Sequence, residues 1–535
     1  MSPEVGHETI LSHPQQQVFR HADTLAHTKV VSILILISFF TFLWIAGYIS
    51  KRVIRAGIIG PIAVGIIYGE PLANILQHDW QETFLYLGYI GLVLIIFEGG
   101  LTARLDLLRA NLTLSVFGAT TGVILPIAFS YLLLYLGFGY GAVETFIIGA
   151  ALSATSLGTT FAVISGASKD VDLANTRVGA ILVSAAVIDD VTGLVMSSVI
   201  HDLGDLQSGG ASLGWLIGRP ILASALMAIL TPVLSKWVFA PLFRKVIEPY
   251  FHRFDHLFNI IFMILVLSAF LSIAAYAGTS VLFGAFLAGS FLTYLPSRHG
   301  DGPFVVLSRE QGEREKGKSP TFVHTFEYYC LDFQTYILEP LFFASIGFAI
   351  PFLDLWTGKA IWRGVVYTLL MLIAKALVGV WILIWTGAKR SKAGEGSRRK
   401  GKETGRSTSD EEEGKGPGGR SSREDTEISA ESARSSGLKA AVSPAILLGM
   451  AMVARGEIGL LIVEIGYNNT DYVSNDGFVT AVWAILLNTI LGPIAVGLMV
   501  KYKAKDIATG VWGLVPKQGE EESTQSGHDD SRAAE

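Results

Sequence analysis

Long, nearly continuous apolar stretches recur along this chain of 535 residues, and they constrain its fold more than any other feature. A helix needs about 20 apolar residues to cross a ~30 Å hydrocarbon layer, and its backbone must satisfy its own hydrogen bonds there. Thirteen stretches meet this description, at residues 29–49, 56–73, 82–100, 112–138, 142–166, 176–200, 213–241, 256–277, 279–297, 332–351, 360–387, 441–466 and 477–501. The sequence therefore predicts an all-α polytopic membrane protein with about 13 transmembrane helices.

Composition supports this interpretation and argues against other classes of protein. Hydrophobic residues make up 51% of the chain and charged residues 16%, and the mean hydropathy is +0.48. Such a chain is too apolar for the surface of a soluble enzyme. A net charge of −5 and a pI near 6.2 argue against a nucleic-acid partner. We expect membrane lipid as the surroundings, no cofactor and no enzymatic activity, since no nucleophile–base pair or metal-ligand set is visible.

The distribution of basic residues predicts the topology. Lysine and arginine concentrate in alternate loops, beginning with Lys51, Arg52 and Arg55 after the first stretch. The opposite loops are poor in them and include the acidic segment 468–476. Because cytosolic loops carry an excess of Lys and Arg, we expect a non-cytosolic N-terminus and a cytosolic C-terminus. The plasma membrane and an endomembrane are both compatible with this topology.

Charge and composition divide the chain into five parts. A polar N-terminal tail (1–28) precedes the first eleven transmembrane helices (29–387). A charged, Gly- and Ser-rich segment (388–440) follows, and it is predicted to be a disordered cytosolic linker because it cannot bury a core. Helices 12 and 13 (441–501) and a cytosolic tail (502–535) complete the chain.

Two of the predicted spans, 142–166 and 441–466, are interrupted by small or polar residues, and each lies in one half of the membrane region. Paired interruptions of this kind are typical of inverted-repeat transporters, whose binding sites lie at the broken helices. We therefore predict inverted repeats with two discontinuous crossing helices.

Two adjacent carboxylates, Asp189 and Asp190, lie in the middle of an otherwise apolar span. Ionisable groups inside a membrane are costly, and each one indicates a function. Two like charges at low dielectric cannot both ionise cheaply, so at least one is expected to exchange its proton near the working pH. A carboxylate that does so and also offers hard oxygen ligands can exchange a proton for a small cation.

A lysine, Lys375, also lies in mid-span, too far from either end to reach water easily. It needs a carboxylate partner, and both Asp189 and Asp190 are candidates. A switchable ion pair between a lysine and an aspartate is the expected result.

The two interrupted spans carry further polar side chains. Thr155 and Ser156 are predicted to lie where backbone carbonyls are freed for cation binding. Arg455 and Glu457 flank a glycine, and we expect them to neutralise exposed helix ends at the crossing. Glu98, Glu339 and Glu464 also lie in or near spans, and the sequence assigns them no role.

With these residues in place, the chain resembles the monovalent cation/proton antiporters of the sodium/hydrogen exchanger superfamily, closest to the NapA- and NhaA-like branch. The most specific element is AVIDDV at residues 186–191, which resembles the paired-aspartate signature of that branch. Four other blocks resemble family motifs in the expected order: FEGGL (97–101), SATS (153–156), PLFFASIG (340–347) and RGEIGL (455–460).

The resemblance implies an NhaA-like fold, a homodimer and an elevator-type core domain. It implies that Asp190 carries the cation (Na⁺, with Li⁺ or K⁺ as other candidates) and the proton in turn, and that Asp189 pairs with Lys375. Thr155 would lie at the crossing, and exchange would be electrogenic. The expected function is secondary active exchange of a monovalent cation for protons.

Three alternatives stay open from the sequence. The nearest keeps the fold and changes the ion, as in a K⁺/H⁺ antiporter or a ligand-gated potassium efflux system. A sodium-coupled symporter of organic anions has a related fold, but it would lack a reason for an aspartate pair beside a lysine. A channel would pass cations without coupling them to protons.

Overall fold

The computed structural model describes residues 14–54, 56–103, 111–156, 176–204, 213–247, 255–293, 295, 321–388, 440–508 and 512. Every regular element in these residues is helical, which confirms the predicted all-α architecture. Eight of the described helices are long and apolar enough to cross a membrane, by length and composition. Each of the predicted apolar stretches overlaps a helix, although the count of 13 crossings stays a prediction.

The main helices are numbered here in chain order. They are α1 (Pro14–Val53), α2 (Ile59–Tyr68), α3 (His78–Thr102), α4 (Leu112–Ser130), α5 (Ala142–Ser153), α6 (Arg177–Gly204), α7 (Leu213–Leu234), α8 (Asp255–Ala277), α9 (Val281–Thr293), α10 (Phe322–Tyr329), α11 (Glu339–Ala349), α12 (Gly358–Ala376), α13 (Ala440–Ala451), α14 (Glu457–Asn468) and α15 (Asn475–Ala508).

Several helices continue through turns of different pitch. A π-helical segment, Tyr131–Gly137, extends α4, and another, Gln334–Leu338, leads into α11. Helix α12 continues through a 3-10 turn, Leu377–Gly379, and its span runs to Ala388. Such departures from α-helical spacing change which residues share a helix face.

Two helix bundles can be distinguished by their packing. In the first, which we call the scaffold bundle, α3 packs on α9 and α11, α2 packs on α1 and α11, and α8 packs on α9. In the second, the core bundle, α4 packs on α5 and α6, α14 packs on α5 and α6, and α12 packs on α15. Helix α7 contacts both α6 and α9, and α11 contacts α14.

Close backbone approach holds the scaffold bundle together. A Cβ atom added to Gly100 of α3 would lie 2.0 Å from the carbonyl oxygen of Phe286 on α9, and one added to Gly289 would lie 2.2 Å from that of Phe97. Small residues allow this close approach. Lipid provides no hydrophobic driving force between helices, so van der Waals contact at such positions stabilises their packing.

Some helix ends differ from the predicted span limits. Helix α1 begins at Pro14, inside the predicted polar tail, because a proline fits the first helical turn and the residues after it allow a helix. Helix α15 runs to Ala508, past the predicted end at 501. Residues 389–439 of the predicted linker lie outside the described residues.

Candidate cation site at two interrupted helices

The site begins where two helices stop inside the core bundle. Helix α5 ends at Ser153, and residues 154–156 are not helical; helix α13 ends at Ala451, and the chain is not helical again until Glu457. The backbone N–H of Ser156 donates to the carbonyl of Ala454 at 2.9 Å, so the two breaks are in contact. The remainder of the predicted 142–166 span, from residue 157, lies outside the described residues.

Arg455 lies between the two helix ends and is fully buried. Its Nη1 atom donates to the carbonyl of Ala154 at 2.9 Å and lies 3.5 Å from the carbonyl oxygens of Ser153 and Met452. These carbonyls follow the C-terminal ends of α5 and α13, where the helix dipole places partial negative charge. The geometry therefore fits a guanidinium that neutralises two helix ends.

Glu457 occupies the first turn of α14. A carboxylate is stabilised there because the N-terminal end of a helix carries partial positive charge. Arg455 and Glu457 thus lie at helix ends of opposite polarity on the two sides of Gly456, the arrangement that charge compensation requires.

The buried lysine contacts one of the two adjacent aspartates. Lys375 Nζ lies 2.8 Å from Asp189 Oδ2 and donates to Thr155 Oγ1 at 2.9 Å. The Thr155 hydroxyl in turn donates to Asp189 Oδ2. Lys375 and Asp189 are both 0% exposed and Thr155 is 3% exposed, so the three groups form a closed polar cluster away from water.

Asp190 lies in a different environment, although it is the next residue. Successive side chains on a helix point about 100° apart, and Asp190 is half-buried where Asp189 is fully buried. The Oδ1 atoms of both aspartates have no hydrogen-bond partner in the described part of the chain, so the two differ in the ion pair that Asp189 Oδ2 makes with Lys375. The charges that act on Asp190 come from Glu457, Asp189 and Lys375, and the first two repel a negative charge.

Backbone groups complete the site, and the sequence could not indicate them individually. The carbonyl of Met452 lies 3.4 Å from Thr155 Oγ1, and Thr489 on α15 donates to the carbonyl of Arg455 at 3.0 Å. Every residue carries a backbone carbonyl, so the residue type does not show which carbonyls are free to bind an ion. The predicted helix break was the only sequence signal for them. Among the described residues, no three His, Cys, Asp or Glu side chains are grouped so that they could hold a resident metal ion.

Comparisons with known proteins identify the family of the chain. The family model for the transmembrane region of sodium/hydrogen exchangers matches residues 35–502. The Na(+)/H(+) antiporter of Enterococcus hirae is 25% identical over 473 residues, covering 86% of this chain and 95% of that protein. The Na(+)/H(+)-K(+) antiporter GerN of Bacillus cereus is 24% identical over 472 residues, covering 87% and 94%.

A solved structure supports the fold. The sodium proton antiporter MjNhaP1 from Methanocaldococcus jannaschii superimposes with a TM-score of 0.54 at 17% identity, covering 88% of this chain and 97% of that one. The relatives are transporters by name, which agrees with the expectation that the chain is not an enzyme. Since the family model covers most of the chain, the protein is an integral, multi-pass member of the sodium/hydrogen exchanger family of monovalent cation/proton antiporters.

Proposed function

We propose that the protein exchanges Na⁺ for H⁺ across its membrane and that the two ions compete for Asp190. The family match and the names of the two relatives that cover most of the chain support antiport of this kind. Na⁺ is the cation that both names share.

The observation that carries this proposal is the unequal pairing of the two aspartates. Asp189 has a buried cationic partner at 2.8 Å, so its charge is balanced without a transported ion. Asp190 has no ion pair among the described residues, and the charge of Glu457 lies within electrostatic range of it. An uncompensated carboxylate inside a membrane must hold either a proton or a cation. Occupancy of Asp190 by one ion then excludes the other.

We also propose that exchange is electrogenic, through the Lys375–Asp189 pair. A cation that binds between Asp189 and Asp190 would weaken the attraction between Asp189 and Lys375, and Lys375 could then release its proton. Together with the proton that leaves Asp190, two protons would move against one Na⁺. The membrane potential would then drive exchange with about 2.3 kcal/mol per net charge per 100 mV.

For the conformational cycle we propose elevator-type alternating access. The core bundle, which carries the site, would move against the scaffold bundle when Asp190 is occupied, since a bare buried charge opposes the movement. We further propose a homodimer in membrane lipid, with the N-terminus non-cytosolic and the C-terminus cytosolic. In this arrangement Thr155 and Ser156 hold the crossing in place beside the ion, and Arg455 and Glu457 balance the broken helix ends.

The test is cation-driven dissipation of a pH gradient in proteoliposomes, with Na⁺, Li⁺ and K⁺ compared. We expect Na⁺-coupled proton flux that Asp190→Asn abolishes, because an amide cannot exchange a proton for a cation. The Glu464→Gln variant is the control, since it removes a half-buried carboxylate from α14 outside this site. Full exchange by Asp190→Asn would disprove the mechanism.

A K⁺/H⁺ antiporter is the second candidate, because GerN, a relative over 87% of the chain, is named a Na(+)/H(+)-K(+) antiporter. The same assay separates the two, since K⁺ would then dissipate the gradient as well as or better than Na⁺. An organic-anion symporter is a weaker alternative, and it predicts cation uptake without proton movement.

A further inference from the structure

One residue beyond α15 is folded back into the core bundle. Trp512 follows Ala508, the last residue of α15, in the predicted C-terminal tail, and it is only 4% exposed. It packs in an apolar cluster that includes Val178 of α6, Ile382 of the α12 span and Ile507 of α15. Because a buried tryptophan removes a large apolar surface from water, the chain is anchored at this residue.

The backbone and the ring of Trp512 both contact the start of α6. The N–H of Val178 is one of the first-turn donors that a helix cannot satisfy by itself, and it donates to the carbonyl of Trp512 at 3.3 Å. The hydroxyl of Thr176 accepts from the N–H of Gly179 at 3.1 Å, so side chain and tail share the capping of this helix. The guanidinium carbon of Arg177 lies 5.3 Å from the centroid of the Trp512 ring, within the range of a cation–π contact.

The indole N–H of Trp512 contacts the other helix, α12, near the end of its span. Trp512 Nε1 donates to Thr386 Oγ1 at 3.0 Å, and this hydroxyl donates in turn to the carbonyl of Ile382. An indole can only donate, so the contact requires an acceptor on α12, which Thr386 provides. One residue therefore links the first turn of α6 with the last turns of the α12 span.

Polar contacts thus join α6 and α12 at two levels, at Trp512 near one end and at the Lys375–Asp189 pair in mid-span. Val178 precedes Asp189 by 11 residues, and Thr386 follows Lys375 by 11 residues. These spacings correspond to about 16 Å along α6 and about 18 Å along α12, which includes a 3-10 turn. Because the two levels are nearly equally far apart on both helices, one register satisfies both contacts, and a shift of either helix along its axis would disturb both.

We propose that Trp512 is a positioning residue, which sets the register of α6 against α12 and thereby holds Asp189 within ion-pair distance of Lys375. The inference rests on the exchange role proposed for that pair. Lys375 Nζ and Asp189 Oδ2 are 2.8 Å apart, and both side chains are fully buried, so water cannot replace either partner when the helices shift. Their attraction falls as they separate. A looser pair leaves Asp189 more available to a cation and lets Lys375 release its proton more readily.

The first experiment measures Na⁺-driven exchange in proteoliposomes at varied Na⁺, with choline holding the ionic strength constant. In Trp512→Ala we expect the Na⁺ concentration for half-maximal exchange to fall about threefold, because Lys375 competes less strongly with Na⁺ for Asp189. We also expect exchange to depend less on a valinomycin-set potassium diffusion potential, because a lysine that is already neutral has no proton to release.

Two further variants test the cause. Thr386→Val keeps the shape of the side chain and removes the acceptor for the indole N–H, so it should shift half-saturation in the same direction by a smaller factor. Tyr502→Ala is the matched control and should cause no shift, since Tyr502 also lies near the end of α15 with a cation, Lys501, 5.5 Å from its ring centroid, but is 71% exposed. Unchanged half-saturation in Trp512→Ala and Thr386→Val would overturn the proposal, and so would an equal shift in Tyr502→Ala.

The second experiment uses thermal unfolding in detergent, which does not depend on transport. Trp512 contacts the helices about 16 Å along α6 from the ion pair, and the effects of changes so far apart on stability normally add. We expect Trp512→Ala to lower the melting temperature less in the variant Lys375→Ala/Asp189→Asn than in the unchanged protein, because no pair remains to be held. Equal falls would show that Trp512 stabilises only the helix ends, and they would overturn the positioning role. Thr386→Val replaces Trp512→Ala in this cycle if the latter does not fold.

The two experiments also distinguish this proposal from the proposed function. If the unchanged protein showed no Na⁺-coupled proton flux, exchange would be disproved, while the melting temperatures would still show whether Trp512 positions the pair. If exchange occurred and the falls in melting temperature were equal, only the positioning role would be overturned.

Discussion

Two lysines of one helix each pair with an aspartate of another helix, and the two pairs differ in their exposure to water. On α12, Lys359 pairs with Asp476, and Arg363 lies 3.5 Å from the same carboxylate. Further along the helix, Lys375 pairs with Asp189. The side chains of the first pair are 56% and 52% exposed, and those of the second are both 0% exposed.

The two ion pairs differ in energy because water hydrates and screens only the exposed one. An exposed ion pair contributes about 0–1 kcal/mol, because water and salt screen both charges whether or not they meet. A buried pair has lost its hydration, which costs several kcal/mol per ion, and its partners depend on one another. The buried pair is therefore poor evidence for stability and good evidence for a function that requires a charge inside the membrane.

The largest expected effect in this comparison comes from Lys375→Ala. It leaves Asp189 charged, buried and unpaired, and we expect a loss of about 3–5 kcal/mol in the free energy of unfolding. Thermal unfolding in detergent measures this. We also expect exchange, where it survives, to depend less on membrane potential, which a valinomycin-set potassium diffusion potential would reveal.

The double variant Lys375→Ala/Asp189→Asn checks the cause. Removing both charges should restore most of the lost stability, because no unpaired ion remains in the interior. If the double variant were as unstable as Lys375→Ala alone, packing rather than charge would explain the loss.

A smaller effect is expected from Thr155→Val, which keeps the shape of the side chain and removes its hydroxyl. The change deletes a donor to Asp189 and an acceptor for Lys375, at a cost of about 1–3 kcal/mol. We expect a lower melting temperature and slower exchange. Thr368→Val is the matched control, because Thr368 is equally buried on α12 and its hydroxyl donates to Gly364 of its own helix.

The smallest effect is expected from Lys359→Ala. The exposed pair with Asp476 should contribute about 0.2–1 kcal/mol, and Na⁺-driven exchange should not change. Raising the salt concentration should erase the difference in stability between this variant and the unchanged protein. A loss as large as that of Lys375→Ala would show that burial does not distinguish the two pairs.

Much of the fold could be predicted from the sequence, because the lipid bilayer restricts which segments can cross it. A spanning segment must be apolar and helical, so the apolar stretches predicted the helices and the charges within them marked Asp189, Asp190 and Lys375 as exceptions. The break before Glu457 was also predicted, since small and polar residues interrupt the apolar run there.

The ends of the helices were harder to predict from the sequence. The start of α1 at Pro14 and the end of α15 at Ala508 lie outside the predicted spans, because a helix can continue into water where hydropathy no longer marks it. The contact between Glu98 and Gln334 was not predicted either, since it joins residues 236 positions apart through a π-helical turn that hydropathy does not encode.

What the sequence determined by itself is the class of protein, the approximate spans and the ionisable groups inside them, because these depend only on composition and on order along the chain. Which aspartate meets Lys375 was decided by the tertiary structure. Composition and periodicity leave Asp189 and Asp190 equivalent, and only the family resemblance assigned them different roles; the rotation of α6 against α5 and α12 gives Asp189 the ion pair and leaves Asp190 without one among the described residues. The same holds for Arg455, whose contact with Ala154 spans 301 residues. Such contacts depend on how whole helices pack, and no local pattern carries that information.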